Sequence, residues 1–508
     1  MNFFVTYDYA SKLSGIEQAQ KKRAKAFQMF GENIKFVSLA YNRFLFKICN
    51  QNGIRHNQLI NMYDYFQGLD AKKIDEIPRK NVSDLIQGDE YVLTRNTDKL
   101  EIYNGQDHIK NIYLIVDGVK NDAIDRVEYF DKFNNLMRVD YFDIRGFLSM
   151  SDIIGQRGGV SREINYDLKG NSVLESYYHT DSQGKIQIHW MLNHDSNIYY
   201  FDNKGALESK FLDLISNDYG ENNIFISDRA YATDRGLINM KSARKLFIFW
   251  HNVFVPDNGR PNITKPFDTL INQINNSNRI DGLLAATDKE VEDLTTTTKN
   301  HLKVYKLNSF IKFPKEIEKN RLDNDGKKEY DIITIARISP EKRILLGIEI
   351  FANLHEALPE IHWDIFGYGE QKYINKLQNI IFNKNLSDFI KIHSYKNDVA
   401  YIYRNAKLFW MLSKFEGFNM SQAEGQSYGL PTIAFDIDYG PSELIINNKN
   451  GVLVPNNDTV SFYQETLKLL KNPTVLSEMS SNACLESDKY SPEFFWNQWS
   501  RIINNWEN

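Results

Sequence analysis

Glu416-Gly-Phe-Asn-Met-Ser-Gln-Ala-Glu424, followed by Gly429-Leu-Pro431 and Tyr439-Gly-Pro-Ser-Glu-Leu444, is the stretch from which the rest of this chain can be read. Two carboxylates stand eight positions apart, with Gly417 between them and an apolar run from Thr432 to Phe435 behind them. Eight residues are close to two turns of α-helix. A helix beginning near Asn419 leaves Glu416 in the preceding loop and puts Glu424 about one turn inside. Backbone N–H groups at such a helix start bind anions. One acid then faces a reacting centre while the other holds a hydroxylated ligand. Alone, the spacing of the two acids would be an ordinary solubilising pattern. The flanking glycines, proline and buried strand make it a site.

At 508 residues the chain exceeds one ordinary core, so two or three domains are expected. Hydrophobic residues at 42% against 25% charged ones place it among soluble globular proteins. A net charge of −5 gives no basic excess that would argue for nucleic acid. Cys49 and Cys484 lie far apart, which fits a reducing compartment and excludes a disulfide framework or a structural zinc site. Met-Asn-Phe-Phe-Val-Thr-Tyr at the start lacks a basic leader and reads as a first buried strand. No apolar run of about 18 residues occurs. The expectation is a cytoplasmic protein, with peripheral attachment at the inner face of the cell membrane as an option. That option comes from Lys21, Lys22, Arg23 and Lys25, for which a solvated helix face is the default reading and attraction to a polyanionic acceptor or an anionic membrane surface the functional one.

Around the opening stretch, strand-like and helix-like runs alternate from residue 328 onward: strands at 330–336, 361–366, 389–393, 407–412 and 431–435, helices at 342–357 and 371–382. Such alternation predicts a parallel sheet covered on both faces. The same rhythm appears at 1–48 (strand 3–7, Ser14-Gly15-Ile16, a helix from Glu17, strand 34–39) and returns from 206, with strands at 223–227, 246–250 and 282–286. Between them, short runs at 99–103, 112–116, 126–130, 136–142, 172–178, 186–191 and 198–201 are separated by turn signals. These include Asn104-Gly105, Asp117-Gly118 and Lys169-Gly170. Hairpin after hairpin predicts an antiparallel meander. The predicted fold class is α/β, two Rossmann-like domains facing a cleft, with a β-meander inserted in the first. The first domain takes residues 1–48 and 206–310, the insertion 49–205, and the second domain 311–490. A last helix, 491–508, docks back on the first domain through a face carrying Trp496, Trp499, Ile503 and Trp506.

Ligands of open α/β sheets bind at strand ends. Arg337 and Lys342 lie in such a connection, Ala336-Arg-Ile-Ser-Pro-Glu-Lys342, where forked hydrogen bonds and a point charge would neutralise a diphosphate. Gly367-Tyr-Gly369 permits close backbone approach without completing a dinucleotide fingerprint. His393 ends another strand, where backbone groups would meet a nucleotide base. Gly15 leads into a helix suited to face phosphates, and His251 ends the strand 246–250, placed to contact a sugar. Asp228-Arg229 reads as a buried ion pair, with an acceptor-site element as the alternative. Asp436-Ile-Asp438 has the form of a metal-binding pair and is rejected as one, because Arg337 and Lys342 already supply the cationic charge. No Gly-x-Ser-x-Gly elbow or phosphate-binding Gly-Lys loop is present, which argues against a hydrolase triad or a P-loop NTPase.

Taken together, these residues resemble the retaining glycosyltransferases of family four, which have the GT-B fold. Within them the chain is most similar to bacterial poly(glycerol-phosphate) α-glucosyltransferases that decorate wall teichoic acid. A sister group, the transferases that start O-glycosylation of serine-rich adhesins, shares the meander insertion. The resemblance runs from Ser14-Gly-Ile-Glu17 through Asn61-Met-Tyr-Asp-Tyr-Phe66, Ile226-Ser-Asp-Arg229, Arg337, Lys342 and Glu416 to Tyr439-Gly-Pro441. It implies that Arg337 and Lys342 bind the donor diphosphate, Glu424 holds the ribose hydroxyls, and Glu416 is the catalytic carboxylate beside the donor sugar. It also implies that backbone amides of Phe418, Asn419 and Met420 hold sugar hydroxyls and phosphate, that Gly15 approaches the phosphates, and that His251 approaches the sugar. The family usually has Gly-Phe-Gly where this chain has Gly417-Phe-Asn419, and often two histidines where this chain has His251 alone.

The resulting expectation is a metal-independent retaining transferase with no cofactor beyond its UDP-sugar donor. It moves a hexose, glucose first, to poly(glycerol phosphate). The alternatives are transfer of glucose or N-acetylglucosamine to Ser/Thr of a serine-rich protein, and an inactive partner subunit of such an enzyme. The insertion is expected to serve acceptor recognition or assembly, as a homo-oligomer or with a homologous partner subunit.

Overall fold

Asn2–Thr6 is buried at every position because strands flank it on both sides. Ile34–Ser38 and Ile224–Ser227 pair with it in parallel, and Leu59–Asn61 extends the sheet beyond Ile34–Ser38. The structure is a computed structural model that describes residues 1–69, 76–96, 98–115, 123–156, 158–255, 265–309, 328–396 and 398–504. Two units can be told apart, one of residues 1–14 and 32–247, the other of residues 15–31 and 248–508. The predicted turn Asp117-Gly118, the boundary expected at 310–311 and Trp506 lie outside the described residues.

In the first unit, ten antiparallel strands follow one another in chain order: Glu90–Arg95, Lys99–Asn104, Asp107–Leu114, Ile124–Phe130, Leu136–Phe142, Leu148–Ile154, Val160–Tyr166, Ser172–Thr180, Ile186–His194 and Asn197–Phe201. Glu90–Arg95, Leu148–Ile154 and Val160–Tyr166 are absent from the sequence expectation. Two of them carry polar residues that weaken any apolar alternation, and partners on neighbouring strands compensate. The Arg138 guanidinium donates to Asp140 at 2.5 Å and to Ser151 at 3.2 Å, and Arg162 donates to Glu175 at 2.8 Å. Three of the hairpins close by one device. Asp131, Asp167 and Asp181 each accept backbone N–H bonds from the residues two and four positions on. The sequence signal for this device is Asp followed three places later by Asn or Gly with positive φ, here Asn134, Gly170 and Gly184.

Asn61 opens the insertion. Its carboxamide accepts from Tyr63 and Asp64 N–H, capping the helix Met62–Phe66, and donates to Ala40 O at 2.8 Å. Arg145, buried, then binds Asp64 at 2.7 Å and Asp143 at 2.6 Å, fastening that short helix to the hairpin between Leu136–Phe142 and Leu148–Ile154.

The second unit contains a six-stranded sheet in which every pairing is parallel. Across it run Ile390–His393, Trp363–Phe366, Tyr330–Ile335, Ala406–Met411, Thr432–Asp436 and Gly451–Pro455. Trp363 and Trp410 are fully buried in its core, each indole N–H bonded to a threonine hydroxyl. The last helix, Pro492–Asn504, buries Phe495, Trp499 and Ile502. Ile502 takes the place expected for Ile503, a shift of one residue around the helix. Phe27 lies 5.2 Å from Trp499, and Phe30 stacks on Trp496 at 4.9 Å. This packing falls on the helix Gly15–Met29, which starts two residues before its predicted position, and on Phe30 just past its end.

Candidate active site

Numbered along the chain, the six parallel strands lie in the order third, second, first, fourth, fifth, sixth. That order reverses direction between Tyr330–Ile335 and Ala406–Met411, and the carboxyl ends at such a reversal form a crevice. The connection after Tyr330–Ile335 carries Arg337 and Lys342, and the one after Ala406–Met411 carries Ser413 and Glu416. Lys414 N–H donates to Glu341 O at 2.8 Å, tying the two connections together.

Lys342 and Glu416, 74 positions apart in sequence, meet there: Lys342 Nζ donates to Glu416 Oε1 at 2.5 Å. Ser413 Oγ donates to the same oxygen at 2.6 Å and Asn419 Nδ2 at 3.3 Å. The Lys342 and Glu416 side chains are 16% and 14% exposed, so the pair is shielded yet reachable. Lys342 does not begin the helix, as the sequence suggested. It closes the short turn Pro340–Lys342, and the helix Ile344–Ala357 starts after Arg343, whose φ is +50°. That turn swings the ammonium off the helix axis toward Glu416. Arg337 is 58% exposed and donates to Glu341 at 2.5 Å, presenting a planar, many-donor group to solvent beside the crevice.

Backbone packing explains the glycines. A Cβ on Gly417 would collide with the carbonyl oxygen of His251, and one on Gly440 would lie 2.5 Å from Phe418 O. Gly367 and Gly369 serve the same purpose against Ala336 O and Ile338 O. Ile338 N–H donates to Tyr368 O at 2.7 Å, so Gly367-Tyr-Gly369 braces the Arg337 connection from behind.

Asn419 adopts φ +64°. Its side chain makes this useful: Oδ1 accepts Gln422 N–H at 3.1 Å, capping the helix Met420–Ser427, and Nδ2 reaches Glu416. Phe418 is buried against Tyr490, and Met420 is the first helical residue. Glu424 lies inside that helix. Its Oε1 accepts from Lys22 Nζ at 2.5 Å and its Oε2 from Tyr403 OH at 3.3 Å. Burial pushes the Tyr403 hydroxyl well above its ordinary range, so it remains a donor. Gly15 begins the helix Gly15–Met29, with open space where a Cβ would stand.

His251 stacks on Phe249 at 4.2 Å, and its carbonyl faces Gly417. His393 stacks on Phe366, with Nε2 2.6 Å from Asp364 Oδ1. Asp228 is buried, and the Arg229 guanidinium donates to Ser14 Oγ at 3.0 Å. Asp438 is ion-paired with Lys289. Lys22 and Arg23 depart from the solvated-face expectation: Arg23 is buried over the Phe249 ring and Lys22 reaches Glu424. Ser413, Tyr403 and Lys22 are the residues sequence reading missed. For Ser413 a signal existed, a polar side chain directly beyond a buried strand at the reversal point. Lys22 and Tyr403 carried none, since only folding brings them to Glu424.

The structure thus sets a cation and a carboxylate together at the reversal point of a Rossmann-like parallel sheet. Residues 314–485 match the family described as glycosyl transferases group 1, and the fold is that of the GT-B glycosyltransferases. The UDP-N-acetylglucosamine–peptide N-acetylglucosaminyltransferase GtfA subunit of Streptococcus parasanguinis is 24% identical over 471 residues, 87% of this chain and 85% of that protein. The poly(glycerol-phosphate) alpha-glucosyltransferase of Bacillus subtilis is 24% identical over 476 residues, 85% of this chain and 68% of that protein. Among solved structures, a TarM mutant of S. aureus in complex with fondaparinux, alpha-GlcNAc-glycerol and UDP aligns over 99% of both chains, with a TM-score of 0.82 at 20% identity.

Proposed function

We propose that the protein is a metal-independent, retaining UDP-sugar transferase that moves a hexose, glucose first, to a hydroxyl of poly(glycerol phosphate) in wall teichoic acid. The observation that carries this reading is the 2.5 Å approach of Lys342 to Glu416 at the crevice of the parallel sheet. When the bond from the sugar's anomeric carbon to the diphosphate breaks, charge develops on the departing oxygen. Lys342, which has three N–H donors, can face that oxygen while retaining Glu416, and Arg337 adds a second cation. Glu416 would stand beside the anomeric carbon. Two routes retain configuration there, covalent attack by Glu416 or entry of the acceptor on the face the diphosphate leaves. Asn419 and the first turn of Met420–Ser427 would hold donor hydroxyls and phosphate, and His251 the sugar.

A second reading, transfer to Ser/Thr of a serine-rich protein, is favoured by the GtfA subunit of S. parasanguinis, of which this chain spans 85%, against 68% for the B. subtilis glucosyltransferase. The test is UDP release from UDP-glucose and UDP-N-acetylglucosamine with poly(glycerol phosphate) or a Ser-rich peptide as acceptor. Turnover on the polymer supports the first reading and names the sugar. Turnover on the peptide alone replaces it with the second. Silence with every pair leaves a partner subunit of an active homologue, assembled through the β-meander.

A further inference from the structure

Lys22 is the one basic side chain paired with the Glu424 carboxylate among the described residues, and its position is fixed from several directions. Its role depends on the assignment of Glu424 to the donor ribose under the proposed function. Lys22 lies on the helix Gly15–Met29, and neighbouring positions anchor that helix within the second unit. Arg23 lies 4.5 Å over the Phe249 ring, Phe27 lies 5.2 Å from Trp499, and Phe30 stacks on Trp496. Three aromatic anchors therefore deliver one ammonium to one carboxylate 402 positions away in the chain.

The division of labour on Glu424 is specific. Lys22 takes Oε1 and the Tyr403 hydroxyl takes Oε2, one donor on each oxygen. A carboxylate offers about four lone-pair sites, so each oxygen keeps capacity for one further donor. Two adjacent hydroxyls on a five-membered sugar ring match that remaining pair of acceptor positions. Without Lys22 the carboxylate would be held from one side only, by Tyr403, and could rotate about its last torsion, which is broad for a Glu side chain.

We propose that Lys22 is a positioning residue for nucleotide recognition, orienting Glu424 toward the ribose 2′- and 3′-hydroxyls and so setting the preference for ribonucleotide over deoxyribonucleotide donors. The competing account is a surface ion pair with no role in binding. With side chains 22% and 24% exposed, such a pair contributes little to stability, so its removal leaves the protein folded and the binding readout interpretable.

The experiment is calorimetric titration of UDP and 2′-deoxy-UDP into the full chain, for the parent and for Lys22→Ala, Lys22→Arg and Glu424→Gln, with thermal unfolding as the fold control. The parent should prefer UDP about tenfold or more, the scale of a hydrogen bond to a charged group. Glu424→Gln should bring the two ligands nearly level. Lys22→Ala should lower the preference about threefold, the scale of one partly exposed charge pair, and Lys22→Arg should restore most of it. If Glu424→Gln levels the ligands while Lys22→Ala keeps the parent ratio, Lys22 is structural and the proposal fails. If the parent has no preference, or Glu424→Gln keeps it, Glu424 does not hold the ribose, and the donor-site assignment falls together with the proposal.

Discussion

Lys342 and Glu416 are each other's partner and each other's test. Glu416→Gln keeps size and hydrogen-bonding atoms while removing charge, and Lys342→Ala leaves the carboxylate with Ser413 and Asn419 as donors. Each variant should therefore fold, with an unfolding temperature close to the parent's, and lose about 100-fold or more in the rate of UDP release, the usual cost of removing one preorganised electrostatic group. Parent-like turnover in both would remove the site assignment. Asn419 carries a different prediction. At φ +64° a glycine is at home, so Asn419→Gly should cost only a few tenths of a kcal/mol, whereas Asn419→Val should cost about 1–3 kcal/mol in thermal unfolding through backbone strain. Glu208 supplies the pH dependence. It is buried, and burial pushes its carboxyl from 4.5 up to about 7, against the lowering influence of Lys204 and Arg235. A folded-state value above the unfolded one means stability is fully present below about 4.5 and is lost as pH rises through about 7. Glu208→Gln should gain on the parent by on the order of 3 kcal/mol between those limits, measured by denaturant unfolding of the two proteins at pH 4.5 and pH 8. Asp152, pushed up to about 6 by burial and by Glu163, titrates in the same sense in both proteins and cancels in the comparison.

Among the elements, the Arg337 connection is held by close packing of backbone on backbone. Gly367→Ala and Gly369→Ala each place a methyl against a carbonyl oxygen of that connection, which cannot yield as a flexible side chain would. Both should weaken UDP binding about tenfold or more although neither residue is expected to touch the nucleotide, since displacement of about 1 Å in a positioned group has effects of this size. Equal UDP affinity in these variants, measured by calorimetry, would show that the connection is held in some other way. The helix Lys204–Asp218 meets Ala230–Ile238 as closely: a Cβ on Gly236 would lie 2.9 Å from Glu208 Cβ. Gly236→Ala should cost about 1–3 kcal/mol by overpacking, read as a lower denaturation midpoint.

Over the whole molecule, chain order does not set the units. The second takes residues 15–31 from near the start of the chain together with residues from 248 onward. The aromatic contact between Gly15–Met29 and Pro492–Asn504 is part of that recruitment. Trp499 is 3% exposed, so Trp499→Ala should destabilise by about 3–5 kcal/mol and, by loosening the helix that carries Lys22, should also reduce UDP affinity. Destabilisation with unchanged affinity would separate the two effects. Among the described residues no helix is long and apolar enough to cross a membrane.

The class of the fold was legible in the chain without its coordinates, because apolar runs at strand and helix periods depend only on near neighbours. So was the placement of the connections that carry Arg337, Lys342 and Glu416, since they follow the ends of buried strands, with Glu424 inside the helix that comes next. The meander was legible where apolar runs lay between turn signals. It was illegible at Leu148–Ile154 and Val160–Tyr166, whose polar side chains are stabilised by cross-strand partners. The pairings came only with folding: Lys342 with Glu416, Lys22 with Glu424, Arg145 with Asp64, and the glycines of 367–369 against the Arg337 connection. Each joins residues well separated in the chain, and no periodicity or spacing encodes such contacts. At the crevice they arise because parallel strands bring their carboxyl ends to one edge of a sheet, where side chains from separate connections are set within hydrogen-bonding distance of one another.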